Sequence, residues 1–394
     1  PQQIEKNDYF SDSSFSFMLG ALKKISREVK ISFFYEKNDK CISELIKELK
    51  ITDLWENKDF SPFAKDREKN NETLCIKHNV VYHLLDDVTL LPMGTFLTNK
   101  QTCYLKYTPF LNNAKKIKVP EPLNLSINNF INKISKKVSK KEIQLSKFGH
   151  EVKENGRSEA LALIKAFNTH AGMYAKYRNF PEKNVTSHLG PHLHFCTISP
   201  REVYWAIKNR TFREQLYWRE FYMYIVNYVS IDYSKKSFTL PRMNNIKWET
   251  DSFALKKWQQ GKTGVPIVDA GMRELLQTNH MHNRLRMITA MYLIFYLRIH
   301  WKEGEKWFAQ HLRDYSYANN YGGWVWCAGI ETHSNPYFRV FSMEEQNRRF
   351  DKDCIYVKRW VPELAGLTPK EIFSRYDDLK ETRQKSIKKI KSYI

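Results

Sequence analysis

Apolar residues recur at helical spacing over residues 15–25 and again over 42–49. Between them, Ile31-Ser32-Phe33-Phe34-Tyr35 is a short β-rich run, and Val80-Val81-Tyr82-His83-Leu84-Leu85 is a second. This alternation predicts an α/β unit over residues 1–110, with a parallel, Rossmann-like sheet. No glycine fingerprint accompanies it, so a dinucleotide site of the Rossmann type is not expected there. From 111 to 148 the periodicity fades. Lys115-Lys116-Ile117-Lys118, Pro120, Pro122 and a Lys/Ser/Asn-rich stretch predict a surface-exposed interdomain linker. From 149 to 394 helical spacing returns, over 158–167, 199–207, 214–228 and 266–276, and most strongly over 283–300. There is no internal repeat. This second unit is predicted to be all-α and to hold most of the large core side chains.

Composition narrows the function classes. The chain has 394 residues, 42% of them apolar. That fraction argues against disorder. No stretch approaches the roughly 18 consecutive apolar residues of a membrane span. Lys and Arg number 64 against 43 Asp and Glu, a formal net charge of +21. An excess of that size favours a polyanionic partner. The opening residues Pro1-Gln2-Gln3-Ile4-Glu5 include neither an initiator Met nor an apolar signal region, and read as the inside of a longer protein. The six cysteines are scattered without a CxxC pair, which suits free thiols in a reducing, intracellular compartment. The basic tail over 385–394 reads as a solvated helix end in preference to a targeting signal.

Local motifs add chemistry. Gly261-Lys262-Thr263 lacks the glycine five residues earlier that a phosphate loop needs, since position 256 is Lys256. Thr263 followed by Pro266 predicts a helix N-cap with proline in the first turn. His188, His192 and His194 could hold zinc, but no fourth ligand lies nearby and a basic or core role is the better reading. Nucleophilic catalysis finds no GxSxG or Cys/His signature. Arg284 and Arg286 project about 200° apart on a helix. One can face an outside phosphate and the other a buried anion, with Asp314 as its candidate partner; two snorkelling arginines are the bland reading. Asn319-Asn320-Tyr321-Gly322-Gly323-Trp324-Val325-Trp326 combines amides, glycines and aromatics. That suits either a planar heteroaromatic ligand or a packed core turn.

The sequence then resembles the photolyase/cryptochrome family, and within it the class I cyclobutane pyrimidine dimer (deoxyribodipyrimidine) photolyases. The resemblance rests on Thr186-Ser187-His188-Leu189-Gly190-Pro191, Tyr217-Trp218-Arg219-Glu220-Phe221-Tyr222, Gly261–Ala270, Met281–Met287, the Asn319–Trp326 block and Pro336-Tyr337-Phe338-Arg339-Val340-Phe341. These occur in family order and spacing over essentially the whole chain. The resemblance implies a helical domain binding folded FAD. Tyr174 and Thr186, Ser187, His188, Leu189 and Gly190 would hold its phosphates and ribityl chain. Phe212 would form a wall, and Arg286 with Asp314 would flank the isoalloxazine ring. Tyr315 and Ser316 would lie beside it, and Asn320 would face flavin N5. Three departures stand out: His188 replaces an arginine, Gly190 a serine, and Ser316 the family's second aspartate.

On the DNA side the resemblance implies that Trp218 and Trp326 sandwich a flipped-out dimer. Asn283 and Met287 would touch it. Arg178, Arg219, Arg284, Arg339 and Gln346 would contact the DNA. Gln215 stands where cyclobutane photolyases carry glutamate. It points to (6-4) photolyases, whereas Asn283 favours the cyclobutane lesion. Trp324, Trp301 and Trp248 fall on the family's electron-transfer chain, and account with Trp218 and Trp326 for five of the nine tryptophans after residue 200. The implied activity is light-driven electron transfer from reduced FAD to the dimer, with no nucleophile or metal. The alternatives are a blue-light-signalling cryptochrome and a (6-4) photolyase. UV-damaged DNA is the expected partner, with no membrane association and a monomeric state. The family's domain starts with a strand–helix–strand unit not seen here, so the sequence is expected to begin some 40 residues into that domain. Phe63 and Ala64 do not match the usual folate-contacting pattern, and neither folate nor deazaflavin is assigned as antenna chromophore.

Overall fold

Helix α1 (Asp12–Ile25) starts where Ser11 accepts a hydrogen bond from the Ser14 amide, and it ends in Lys23 and Lys24. Cap and charge both complement the helix dipole. The computed structural model describes residues 7–34, 36–123, 155–229, 246–329 and 340–393. Helix α2 (Asn38–Leu49) follows, then β1 (Asp53–Asn57), α3 (Pro62–Lys77) and β2 (Val81–Leu85). Ser61 caps α3 and Pro62 fits its first turn. β1 and β2 pair in parallel, Asp53 opposite Val81 through Asn57 opposite Leu85, with α3 as the crossover. Ile46, Cys75 and Val80 form the small core beneath.

Two expectations change here. Residues 31–34 form no strand of this two-stranded sheet, and Tyr35 lies outside the described residues. The expected linker does not open at 111. Helix α4 (Tyr107–Ala114) crosses that point, and Phe110, Leu111, Ala114 and Val119 are buried in the main core. The apolar face of α4 outweighs the lysines around it, which point to solvent. The linker residues 124–148 lie outside the described residues.

Helices α5 (Arg157–Asn168), α6 (Tyr174–Tyr177), α7 (Gly190–His194), α8 (Pro200–Ala206) and α9 (Arg210–Tyr228) begin the helical unit. Next come α10 (Ser252–Gln259), α11 (Pro266–Thr278), α12 (Asn283–Met291), α13 (Trp301–His311) and α14 (Tyr317–Ala328). Helices α15 (Met343–Phe350), α16 (Ile355–Trp360), α17 (Pro369–Ser374) and α18 (Leu379–Lys391) complete it. The helix expected over 283–300 is not continuous. After α12 it widens into a π-turn at Tyr292–Tyr296, and the chain then turns at Arg298 with φ +55°. Thr263 is not the N-cap of α11. Instead, Asp269 inside the helix reaches back and accepts from the Thr263 amide and hydroxyl and the Gly264 amide, all at 2.7–2.9 Å.

Several ties join the α/β unit to the helices. Buried Glu220 on α9 accepts from the Leu90 amide. Arg201 donates to the Leu90 and Asp86 carbonyls. The segment before α1 lies against α13, where Lys306 meets Asp8 at 2.8 Å, Gln310 donates to the Asp8 carbonyl, and Arg313 donates to the Ser13 hydroxyl at 3.1 Å. One hydrophobic core runs from Phe60 to Ile390. All six cysteines are free. Among the described residues no helix is long and apolar enough to cross a membrane.

Candidate functional site

The His282 side chain caps α12 by accepting from the Arg284 amide at 3.1 Å. That start places Arg286 one turn in, where its Nε donates to the Met281 carbonyl and its Nη2 to both Asp314 oxygens, at 3.1 and 2.9 Å. The predicted Arg286–Asp314 pair is therefore formed. Burial alone would raise the Asp314 carboxyl, but the Arg286 guanidinium overrides it and the net direction is down. Asp314 is enclosed by protein, yet its side chain keeps 17% of its accessible surface and that of Arg286 keeps 25%. The pair is therefore packed into the protein but not sealed from solvent. His188 shows the same pairing: it is exposed, yet burial first and then His280 depress its pKa.

The loop carrying His188 closes on this pair. A Cβ at Gly190 would lie 2.5 Å from Asp314 Oδ2, so a residue without a side chain is what allows the approach. His188 takes a left-handed backbone, φ +53°, and its Nε2 lies 2.8 Å from Asn184 Oδ1. Thr186 and Ser187 are half-buried, and Leu189 is buried beneath them. His192 and His194 are not brought together with His188 as ligands. His192 is buried, its Nδ1 2.7 Å from the Thr197 hydroxyl, and burial followed by the Arg219 charge pushes His194 down to about 4. Phe212 and Tyr174 are buried against each other and Phe167, with ring centroids 5.6 and 4.9 Å apart for the two Phe212 contacts.

Asn320, on α14, is held from behind. Its Nδ2 donates to the Glu305 carbonyl at 3.1 Å and to Glu305 Oε1 at 3.0 Å. Its Oδ1, an acceptor, is not used in this contact with Glu305. Glu305 is fully buried and burial raises its pKa, with the hydrogen bonds from Tyr9 and Asn320 opposing. Tyr9 also lies near Tyr315, ring centroids 6.5 Å apart. Ser316 precedes α14 and accepts from Asn319 at 3.1 Å.

Two of the three candidate relay tryptophans are buried, Trp324 at 2% and Trp301 at 5% exposure, while Trp248 is half-buried. Trp324 lies over the backbone of α13, the helix that Trp301 opens. A Cβ at Gly304 would lie only 2.1 Å from its ring. Trp324 packs against Phe308 at 5.0 Å and Trp258 at 6.3 Å.

On the opposite side, Trp218 on α9 is half-buried and stacked flat on Tyr107, centroids 3.6 Å apart at 12°. Trp326 on α14 and Met287 on α12 are also half-buried, and Asn283 is exposed at the start of α12. Arg178 is half-buried at the end of α6. Gln215 donates its amide to the Thr211 carbonyl of its own helix. Arg284 is held by Asn179 at 2.9 Å and lies over the Phe350 ring. Two of the candidate DNA contacts are engaged within the protein in this structure. Arg219 points inward and donates to the Val88 and Leu193 carbonyls at 2.7 and 3.3 Å, because these carbonyls need a donor where the two units meet. Gln346 is buried at 8% exposure in α15, with its Oε1 unpartnered. Arg339 lies outside the described residues.

Tyr9, Tyr107 and Glu305 were not singled out from sequence. Glu305 had a signal. Trp301, Gly304, Glu305 and Phe308 are the buried stripe of α13, and a carboxylate in an apolar stripe needs a partner. Tyr9 and Tyr107 had none, since nothing in spacing links them to residues more than a hundred positions away.

Comparison with known proteins is consistent along the chain. A family model described as DNA photolyase matches residues 2–125, and one described as the FAD binding domain of DNA photolyase matches 212–394. A deoxyribodipyrimidine photo-lyase of Halobacterium salinarum is 34% identical over 356 residues, covering 83% of this chain and 73% of that protein. The protein of the same name from Escherichia coli is 31% identical over 352 residues, covering 84% and 73%. Among solved structures, a class III photolyase from Agrobacterium tumefaciens superposes with a TM-score of 0.85 at 26% identity, covering 97% of this chain and 89% of that one. An archaeal photolyase from Sulfolobus tokodaii, solved with two FAD molecules, gives 0.86 at 28%, covering 100% and 91%.

Proposed function

Because this chain belongs to the DNA photolyase family, we propose that its cleft binds FAD and that it repairs cyclobutane pyrimidine dimers in DNA in a light-dependent reaction. It is an enzyme, a deoxyribodipyrimidine photo-lyase, and FAD is its cofactor. The observation that carries the site assignment is the enclosed but solvent-open wall made by Arg286, Asp314, Gly190 and Asn320. The residues fit the group. A flavin edge alternates donors and acceptors, and this wall offers a guanidinium, a carboxylate, the Ser316 hydroxyl and one free amide oxygen. Tyr174, Thr186, Ser187, His188, Leu189 and Gly190 would hold the phosphate and ribityl portion, with Phe212 behind Tyr174, and Tyr315 completes the ring side. When bound, FAD supplies light absorption and one-electron chemistry.

The chain's own contribution is to bind, orient and exclude. Arg286 and Asp314 fix a dipole at the ring edge. Glu305 holds the Asn320 amide, so that its oxygen would be the acceptor offered to the ring. Trp218, backed by Tyr107, and Trp326 would flank a flipped-out dimer, with Asn283 and Met287 beside it. Flipping costs a few kcal/mol, less at a poorly stacked lesion, and so favours damaged sites. Arg178 and Arg284 would contribute to DNA contact, and the +21 net charge supplies the sequence-independent term. Trp324, Trp301 and Trp248 would pass electrons from the surface toward the cleft. We read the α/β unit as the family's Rossmann-like antenna domain, and the whole as an intracellular monomer, in keeping with its free thiols.

Purified FAD-loaded protein, given an oligonucleotide with a single thymine dimer, should restore two thymines under blue light and not in the dark. An unchanged dimer after illumination refutes the reading. Repair of a (6-4) photoproduct instead would assign the lesion to Gln215.

A further inference from the structure

The backbone of the segment holding Trp248 is clasped to the turn before α13. The Glu249 amide donates to the Arg298 carbonyl at 2.8 Å, and Glu249 bridges Ile299 in parallel. Side chains repeat the clasp, since Glu249 Oε1 meets Arg298 Nη2 at 2.6 Å and Lys389 Nζ at 3.2 Å. The clasp leaves one ring between two tryptophans. His300 is 5.1 Å from Trp248, edge-on at 67°, and 5.8 Å from Trp301, stacked at 26°. Among the described residues no direct ring contact joins Trp248 to Trp301; each touches His300.

The same imidazole is the N-cap of α13, where its Nδ1 accepts from the Lys302 amide at 3.2 Å. That fixes the tautomer. Nδ1 is the acceptor, so the neutral ring carries its proton on Nε2. Burial, then the Lys302 charge, pushes its pKa down to about 4, and the positive end of an eleven-residue helix acts the same way. The ring is therefore uncharged at neutral pH and has no open acceptor nitrogen.

We propose that His300 is a positioning residue that bridges the electron path between Trp248 and Trp301, its neutral ring filling the gap between the two indoles. This rests on the relay reading given above. One electron leaves the Trp248 indole, crosses His300 and fills the vacancy on oxidised Trp301. Trp301 returns to its neutral state, Trp248 becomes the one-electron-oxidised partner, and no proton moves. A cation between the indoles would repel the migrating positive charge, so the uncharged tautomer suits this task.

Cap and bridge can be separated. His300→Asn keeps a good N-cap oxygen and removes the ring. His300→Phe keeps a ring and removes the cap. FAD-loaded proteins are flashed, and the long-lived oxidised-tryptophan signal is followed by transient absorption beside the thermal midpoint. Trp248→Phe serves as the reference for a path cut at its end. The expected result is that His300→Asn melts with the parent but loses several-fold of the long-lived signal, approaching Trp248→Phe. His300→Phe should melt lower yet keep most of the signal. Parental yield in His300→Asn overturns the bridge and leaves the relay standing. A Trp248→Phe protein with the parental signal overturns the relay, and the bridge with it.

Discussion

Replacing Gly304 by alanine tests the packing that sets Trp324 against α13. The added Cβ would lie 2.1 Å from Trp324 Cη2, 2.7 Å from Cζ3 and 2.6 Å from Leu293 Cδ2. Carbon atoms rest about 3.5–4.0 Å apart, so the indole must retreat by more than an ångström. It has no room to do so. Trp324 is 2% exposed and boxed by Phe308 and Trp258. Overpacking of this kind costs about 1–3 kcal/mol. Alanine returns about 1 kcal/mol through its better helix propensity. With contacts this short the clash wins, for a net loss of up to about 2 kcal/mol, or up to roughly 8 °C in melting temperature for a cooperative unit of this size. Gly323 in α14 is the control, because a Cβ there meets nothing within 4 Å. Gly323→Ala should gain up to about 1 kcal/mol. Thermal unfolding followed by circular dichroism reads both. A Gly304→Ala protein melting at or above the parent, or the two variants moving the same way, would refute the reasoning.

Three other outcomes follow from named residues. Burial raises the Glu220 carboxyl to about 8, against the opposing Leu90 hydrogen bond and Arg219. An unfolded glutamate ionises near 4.3, so between those values the folded chain holds the extra proton and stability falls as pH rises. Glu220→Gln should therefore flatten the decline in melting temperature from pH 5 to 8, and an unchanged slope counts against it. Trp218→Ala and Trp326→Ala should each weaken binding to dimer-containing DNA by roughly five- to 150-fold, from about 1–3 kcal/mol of base stacking. Fluorescence anisotropy should show undamaged DNA nearly unaffected; equal losses on both would remove the lesion-stacking role. Ser316→Asp adds a negative charge beside the proposed ring site and should lower the flavin reduction potential. Spectroelectrochemical titration with no shift would place residue 316 away from the ring.

Periodicity located the helices well where one face is apolar over several turns, as in α1, α5, α9 and α11. It failed where tertiary contacts overrule it. The long run over 283–300 reads as one helix because every residue in it tolerates helix, but the π-turn and the left-handed Arg298 break it so that His300 can cap α13. The linker boundary failed for a related reason, since lysines dominate composition from 115 to 118 while Phe110, Leu111, Ala114 and Val119 decide burial. In the site, Arg286 and Asp314 were legible because a buried cation calls for a buried anion. The inward bonding of Arg219 and the burial of Gln346 were not legible, because motif position says nothing about which way a polar side chain points. The Arg219 guanidinium satisfies two carbonyls at the junction, and Tyr9 enters the site through a contact that no local pattern encodes.

The contact between Asp8 and α13 joins residues 302 positions apart. At a synthesis rate of about 5–20 residues per second, some 300 residues take roughly 15–60 s to emerge. For that interval Tyr9 and the α1 segment are made but have nothing to bind, while Glu305 and Tyr315 do not yet exist. The α/β unit can form β1, α3 and β2 at once from local contacts, but the wall behind Asn320 is sealed only when the first and last thirds of the chain meet. On the proposed assignment, the flavin wall is completed late in synthesis, and a growing chain stalled before α13 would lack the Glu305 that holds Asn320.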